Sequence, residues 1–180
     1  MLRGWTDDDI EAWATMNADP RVMEFFPHTA ERERSFASAI KMRADVERDG
    51  FGWFVVEVMG SIPFAGVIAL QRVPFEAAFT PAREIGWRFI ADAWGHGYAT
   101  EAASAALDFA FDTLGWGEVI AMTAAINRRS RRVMERLGMT HDSRDDFDHP
   151  RLEIGHRLRR HVLYRARASD RFATRPRNLT

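Results

Sequence analysis

Four groups of residues in this sequence have types and spacings suited to chemistry. The first is Trp94-Gly95-His96-Gly97-Tyr98-Ala99, running into Thr100-Glu101-Ala102. A strand pattern precedes it and a helical pattern follows. The N–H groups at a helix start are unpaired, and the aligned peptide dipoles make that end partly positive. Gly95, Gly97 and Ala99 let an anion approach without meeting side chains, so the turn reads as a phosphate cradle as well as a tight turn. The second group is the single carboxylate Glu84, ahead of that turn. The third is Asn127 with Ser130, placed where Asn127 can cap a helix. The fourth is His141, His149, His156 and His161, whose spacings match no zinc motif. The chain has no cysteine, which removes disulfides, thiolate ligands and a cysteine nucleophile. No metal is expected. His149, in Asp146-Phe147-Asp148-His149-Pro150, is a candidate to face a substrate instead.

Two nucleotide readings of the glycine turn fit poorly. A dinucleotide fingerprint needs a third small residue where Thr100 stands, and an acidic residue at the end of the next strand. Glu118 has the separation but sits at the start of its strand. A P-loop needs Gly-Lys-Ser/Thr, which is absent.

Elements must position these groups. Thr6 or Asp7 caps a first helix carrying Ile10, Trp13 and Ala14. A second helix is predicted over residues 30–49, with Phe36, Ala39, Ile40 and Val46 inward. Residues 53–58 and 64–73 form a hairpin through Met59-Gly60-Ser61. Residues 74–81 are a loop, and 83–90 a third strand. After the glycine turn, Ala103, Ala106, Leu107, Ala110, Phe111 and Leu114 make a narrow stripe of small and apolar residues that can sit close to a sheet. Residues 119–124 are a short buried strand. A helix from Asn127 turns Val133, Met134 and Leu137 inward and ends at Gly138. Residues 139–147 are predicted as a strand and 161–165 as the last. Hairpins followed by strand–helix–strand predict a mixed sheet with helices on both faces.

Composition frames these elements. The 180 residues carry 46% hydrophobic and 28% charged residues and a net charge of −1, the profile of one soluble globular domain. No strong pull toward nucleic acid or membrane is expected. Arginine crowds the C-terminal part and Lys41 is the only lysine; this reads as compositional bias more than a basic binding face. The acidic start does not suit a secretory signal and no stretch is apolar enough to span a membrane, so the cytoplasm is the expected location. Residues 1–167 are expected as one domain and 168–180 as a flexible tail. A monomer and a homodimer both remain open.

The motifs together resemble the GNAT superfamily of acetyl-CoA-dependent N-acetyltransferases. Gly97 and Ala99 match the small positions of its Arg/Gln-x-x-Gly-x-Gly/Ala loop, with Trp94 in place of Arg/Gln. Trp-Gly-x-Gly-Tyr-Ala-Thr-Glu-Ala is similar to the branch of ribosomal-protein N-terminal (Rim-type) acetyltransferases. Asn127-Arg128-Arg129-Ser130 with Val133 to Met139, Glu84-Ile85-Gly86-Trp87, and His161 to Arg165 fit the same branch. The resemblance spans nearly the whole chain. It implies an α/β (α+β) GNAT fold, with a central, mostly antiparallel sheet splayed between its fourth and fifth strands. It implies acetyl-CoA as co-substrate, held by Phe89, Ile90, Trp94, Gly95, His96, Gly97, Tyr98, Ala99 and Thr100, with the Asn127 side chain on the pantetheine arm. Ser130 would reprotonate the leaving thiolate, and Glu84 would take the amine proton. Many relatives place a tyrosine acid where Met134 stands; Tyr164 is the weaker substitute, while Tyr98 is read as packing.

The acceptor follows from proton affinity. An α-amine titrates near 7.7–8.0 and a lysine near 10.4, so deprotonating lysine at neutral pH costs about 3.5 kcal/mol more. A protein or peptide N-terminal α-amine is therefore the expected acceptor, in a ternary complex. A small-molecule amine and a non-catalytic acyl-CoA-binding module are the alternatives. Trp53, Phe75 and Phe79 are either core or walls of the acceptor pocket.

Overall fold

Alternation along the strands decides which helices each face receives. The computed structural model describes residues 1–170. Strand β1 (Leu2–Arg3) leads to helix α1 (Asp7–Ala18), a 3-10 turn (Val22–Phe25) and helix α2 (Arg32–Asp49). The hairpin β2 (Trp53–Val58) and β3 (Ile62–Arg72) follows, then β4 (Arg83–Phe89). Helix α3 (Tyr98–Asp108), β5 (Glu118–Ala124) and α4 (Arg128–Arg136) come next, and then the short β6 (Thr140–His141) and β7 (Phe147–Asp148) and the long β8 (Arg160–Arg167). The strand order is β1-β2-β3-β4-β5-β8-β6, with β7 also on β8. Every pair is antiparallel except β4 with β5.

Val55 and Val67 point to one face, where they pack with Trp5, Trp13, Met16 and Ala39 under α1 and α2. Val56, Ile68, Leu70 and Ile85 point to the other, against Ala103, Ala106 and Leu107 of α3 and Met134 of α4. Each fully buried Leu or Ile contributes about 1.5–3 kcal/mol. The alanines of α3 let its axis lie close to the sheet, and a π-helical turn over Phe109–Thr113 ends it.

The break in the sheet positions the site. β4 and β5 run parallel and pair at one register only, Glu84 opposite Ile120. Beyond Glu84 the two strands part, and the gap opens toward Phe89 on one side and Ala124 on the other.

Three expectations are corrected. Residues 139–147 do not make one strand: Asp142 caps a 3-10 turn, Ser143–Asp145, that separates β6 from β7. Ile40 is exposed, because α2 turns Ser35 and Ala39 inward instead. The second helix begins at Arg32, two residues later than its apolar pattern suggests. The tail expected over residues 168–180 lies outside the described residues from residue 171 on. No helix among the described residues is long and apolar enough to cross a membrane.

Candidate active site

Two cavities meet at the gap between β4 and β5. The first, about 380 Å³, is lined by Phe89, Trp94, Gly97, Ala99, Asn127 and Ser130, among others. The glycine turn forms its rim. Gly97 is the N-cap of α3 at φ 84°, a backbone conformation that disfavours any residue with a Cβ. Thr100 and Glu101 donate back to the Gly97 carbonyl. The N–H groups of Gly95, His96, Gly97, Tyr98 and Ala99 have no partner among the described residues. Trp94 ties this turn to the sheet, its indole N–H donating to the Phe89 carbonyl at 3.0 Å. Ile90 donates its N–H to Ala65. Antiparallel alternation therefore turns the N–H groups of Trp87 and Phe89 away from β3 and into the gap.

Asn127 caps α4, its Oδ1 accepting from the Ser130 N–H at 3.2 Å. Its Nδ2 donates to Thr123 Oγ1 at 2.9 Å and to Ser130 Oγ at 3.1 Å. With that amide orientation Ser130 Oγ is an acceptor, and its own proton is free for the junction, which Ser130 lines from both cavities. Arg132 and Arg136 also line the first cavity, and neither has an ion pair or hydrogen bond among the described residues. Arg129, on the same helix, lies 4.3 Å above the Trp94 indole and pairs with Glu24. This stripe was missed in the sequence, where it was absorbed into the general abundance of arginine. The i, i+3, i+7 spacing of Arg129, Arg132 and Arg136 on one helix was the available signal.

The second cavity, about 450 Å³, lies over the α1/α2 face of the sheet and is lined by Trp53, Phe75, Glu84, Arg88, His149 and His161, among others. Glu84 lines this cavity, and burial raises its pKa above the ordinary carboxylate value. Its one hydrogen bond among the described residues comes from Gln71 Nε2 at 3.2 Å. Trp53 Nε1 donates to Gln71 Oε1 at 3.0 Å, which fixes that amide with its donor toward Glu84. His149 is pushed down to about 4 by burial and by the nearby His161 and Arg151. Burial also lowers His161. Both rings, 4.9 Å apart, are neutral at physiological pH. Arg88 lies where the cavities join, its guanidinium 4.0 Å from the Phe26 ring and 4.9 Å from that of Trp13. It donates to Asn17 Oδ1, and burial brings its pKa down to about 10.

A family model of the acetyltransferase (GNAT) domain matches residues 1–140. The chain belongs to the GNAT acetyltransferase family. FsC-acetyl coenzyme A-N(2)-transacetylase of Aspergillus fumigatus is 35% identical over 134 residues, covering 70% of this chain and 56% of that protein's length. A GNAT-family acetyltransferase from Bacillus anthracis superposes with TM-score 0.76 at 25% identity, over 93% of this chain and 94% of that one. The ribosomal-protein-S5-alanine acetyltransferase of Vibrio fischeri superposes with TM-score 0.73 at 16% identity, over 94% and 93%. The open, mostly antiparallel sheet with flanking helices is the GNAT fold.

Within this GNAT fold, the anticipated site residues divide. Phe89, Trp94, Gly95, Gly97, Tyr98, Ala99, Thr100, Asn127 and Ser130 line the first cavity, and Glu84 lines the second. Ile90 and His96 line neither: Ile90 packs between the two cores, and exposed His96 stacks on Tyr98 at 5.4 Å. Tyr164 also lines neither, being buried under α4 with its hydroxyl donating to Glu135 at 3.2 Å. Trp53 and Phe75 are cavity walls, and Phe79 backs Phe75 from 6.3 Å.

Proposed function

We propose that this protein transfers the acetyl group of acetyl-CoA directly to an α-amine in a ternary complex. One observation carries the reading. An anion cradle with unpaired N–H groups and a chamber holding a buried carboxylate meet at Ser130 and Asn127, so donor and acceptor can face each other there. The N–H groups of the turn, and Arg132 and Arg136, all without partners among the described residues, suit the coenzyme A phosphates. The Phe89 and Trp87 N–H groups suit the pantetheine arm and the acetyl oxygen, which gains negative charge as the amine attacks. The raised pKa of Glu84 makes it a better proton acceptor than an exposed carboxylate. Ser130 has a proton to return to the thiolate as the C–S bond breaks. Asn127 keeps one Oδ1 lone pair for a pantetheine amide, its Nδ2 hydrogens being committed to Thr123 and Ser130.

The acceptor reading rests on proton affinity and on likeness to a ribosomal-protein acetyltransferase. Thiol release from acetyl-CoA in the presence of an amine panel tests it. Turnover with α-amines of peptides and amino acids, ahead of lysine side-chain amines, is expected. Tight acetyl-CoA binding with no turnover of any amine would instead identify an acyl-CoA-binding module.

A further inference from the structure

Glu84, Gly86 and Arg88 alternate along β4 and share the face that floors the second cavity. Gly86 stands between the two charged residues, directly opposite Ala69, which is itself opposite Trp53. A Cβ at Gly86 would meet nothing closer than the Ala69 methyl at 4.0 Å, so nothing fills the floor at this point. The carboxylate and the guanidinium do not pair with each other. Among the described residues Glu84 accepts only from Gln71, and Arg88 donates only to Asn17, a neutral amide. Among the described residues Arg88 Nε is buried without a partner, and Nη2 has none either. Burying a cation without a counter-charge is costly. The two aromatic rings and Asn17 recover part of that cost and supply no negative charge. The other charged group on this wall, Arg151, is cationic as well, and the two histidines are neutral.

We propose that the acceptor amine carries a carboxylate, and that Arg88 is the residue that recognises it. This rests on the acetyl-transfer reading above and narrows its acceptor. The chamber then complements a zwitterion: Glu84 faces the amine end, Arg88 the anionic end, and Trp53 and Phe75 an apolar body between or beside them. A polyamine, with several cations and no anion, is disfavoured by the same arrangement. The carboxylate can be the acceptor's own α-carboxylate, or an acidic side chain next to a peptide N-terminus.

Two matched pairs separate those sources: phenylalanine against phenylalaninamide, and the dipeptide amides Phe-Asp against Phe-Asn. Acetylation is followed by thiol release, with acetyl-CoA binding measured separately by calorimetry. The acidic member of at least one pair should have a kcat/KM at least tenfold above its neutral partner. Arg88→Gln should shrink that ratio at least fivefold, and Arg88→Lys should restore part of it. A purely structural role for Arg88 would lower both members alike and leave the ratio unchanged, which overturns the proposal even where the wild type discriminates. Equal or better turnover of the neutral member in both pairs overturns it too, as does failure of all four amines with acetyl-CoA bound. Failure of acetyl-CoA to bind is a different result, and overturns the donor reading beneath it.

Discussion

Glu84 combines two demands that pull against each other, and substitution separates them. Its pKa is raised by burial, so the folded state holds the proton more tightly than the unfolded chain does. Folding is therefore favoured most below the ordinary carboxylate value near 4.5, and that contribution is lost as pH rises through the folded pKa. Wherever the carboxylate ionises, its burial is a stability cost. Glu84→Gln keeps the shape and removes the charge. It should lower kcat by about 10²-fold or more, leave acetyl-CoA affinity nearly intact, and raise the melting temperature at pH 7 but not at pH 4. A melt at the two pH values beside a rate assay checks all three. The acid limb of the wild-type kcat/KM profile should lie above the usual carboxylate range. Ser130→Ala should cost less, because a thiol of pKa near 8.5 can take its proton from water. Much of this site was legible as residue types: Asn127 as a cap and Glu84 as the carboxylate ahead of the turn. Arg88 was not legible, because nothing in a strand sequence says that an arginine will be buried without a carboxylate.

Elements set where those residues sit, and β3 has one place where no side chain fits. A Cβ on Gly66 would fall 2.3 Å from the Arg88 carbonyl oxygen and 2.7 Å from the Phe89 Cα. Both are backbone atoms and cannot swing aside. Gly66→Ala should push the end of β4 toward the gap, cost about 1–3 kcal/mol of stability, and raise the KM for acetyl-CoA. Urea melts and donor-saturation kinetics measure the two effects. On α4, Arg132 and Arg136 offer charge without partners among the described residues. The double change to alanine should weaken coenzyme A binding about tenfold and flatten its dependence on salt, which screens exposed charges; calorimetry at two ionic strengths reads both. The element scale also shows what pattern can and cannot convey. The period-2 strands 53–58 and 83–89 and the helix after the glycine turn lie where alternation and small-residue spacing put them. The stretch 139–147 carries strand-forming residues at both ends, yet Asp142 binds the Arg144 N–H at 2.9 Å and turns the chain between them. In α2, charged residues dominate the helix, so its apolar positions could not fix the rotation that leaves Ile40 outside. The pairing of β1 with β2 involves two residues, too short a run for any periodicity to mark.

At the scale of the molecule, the chain must hold two chambers open on either side of a split sheet. The N-terminal anchor does this on the acceptor side. Arg3 donates to Asp9 at 2.7 and 2.9 Å, to Glu57 at 2.7 Å and to the Pro63 carbonyl at 2.8 Å, locking β1 to α1 and to the β2–β3 hairpin. Asp9 also accepts the Thr6 N–H and hydroxyl at the start of α1. Burial alone would raise the Asp9 pKa, but the Arg3 and Thr6 hydrogen bonds outweigh it and the net shift is downward. A depressed carboxylate stabilises the fold above its unfolded value near 3.8, and that stabilisation is lost as pH falls through the folded pKa. Asp9→Asn should cost about 2–3 kcal/mol at pH 7, and the difference from wild type should shrink as the pH drops below 3.8. The α1 helix carries Trp13 and Asn17, which hold Arg88, and none of its residues lines the first cavity. Loosening it should therefore disturb the acceptor chamber before the donor cradle. In Asp9→Asn, measured well below its melting temperature, the KM for the amine should rise while the KM for acetyl-CoA stays near wild type. Equal rises in both would mean that the two chambers are one mechanical unit, and that the split between β4 and β5 does not insulate them.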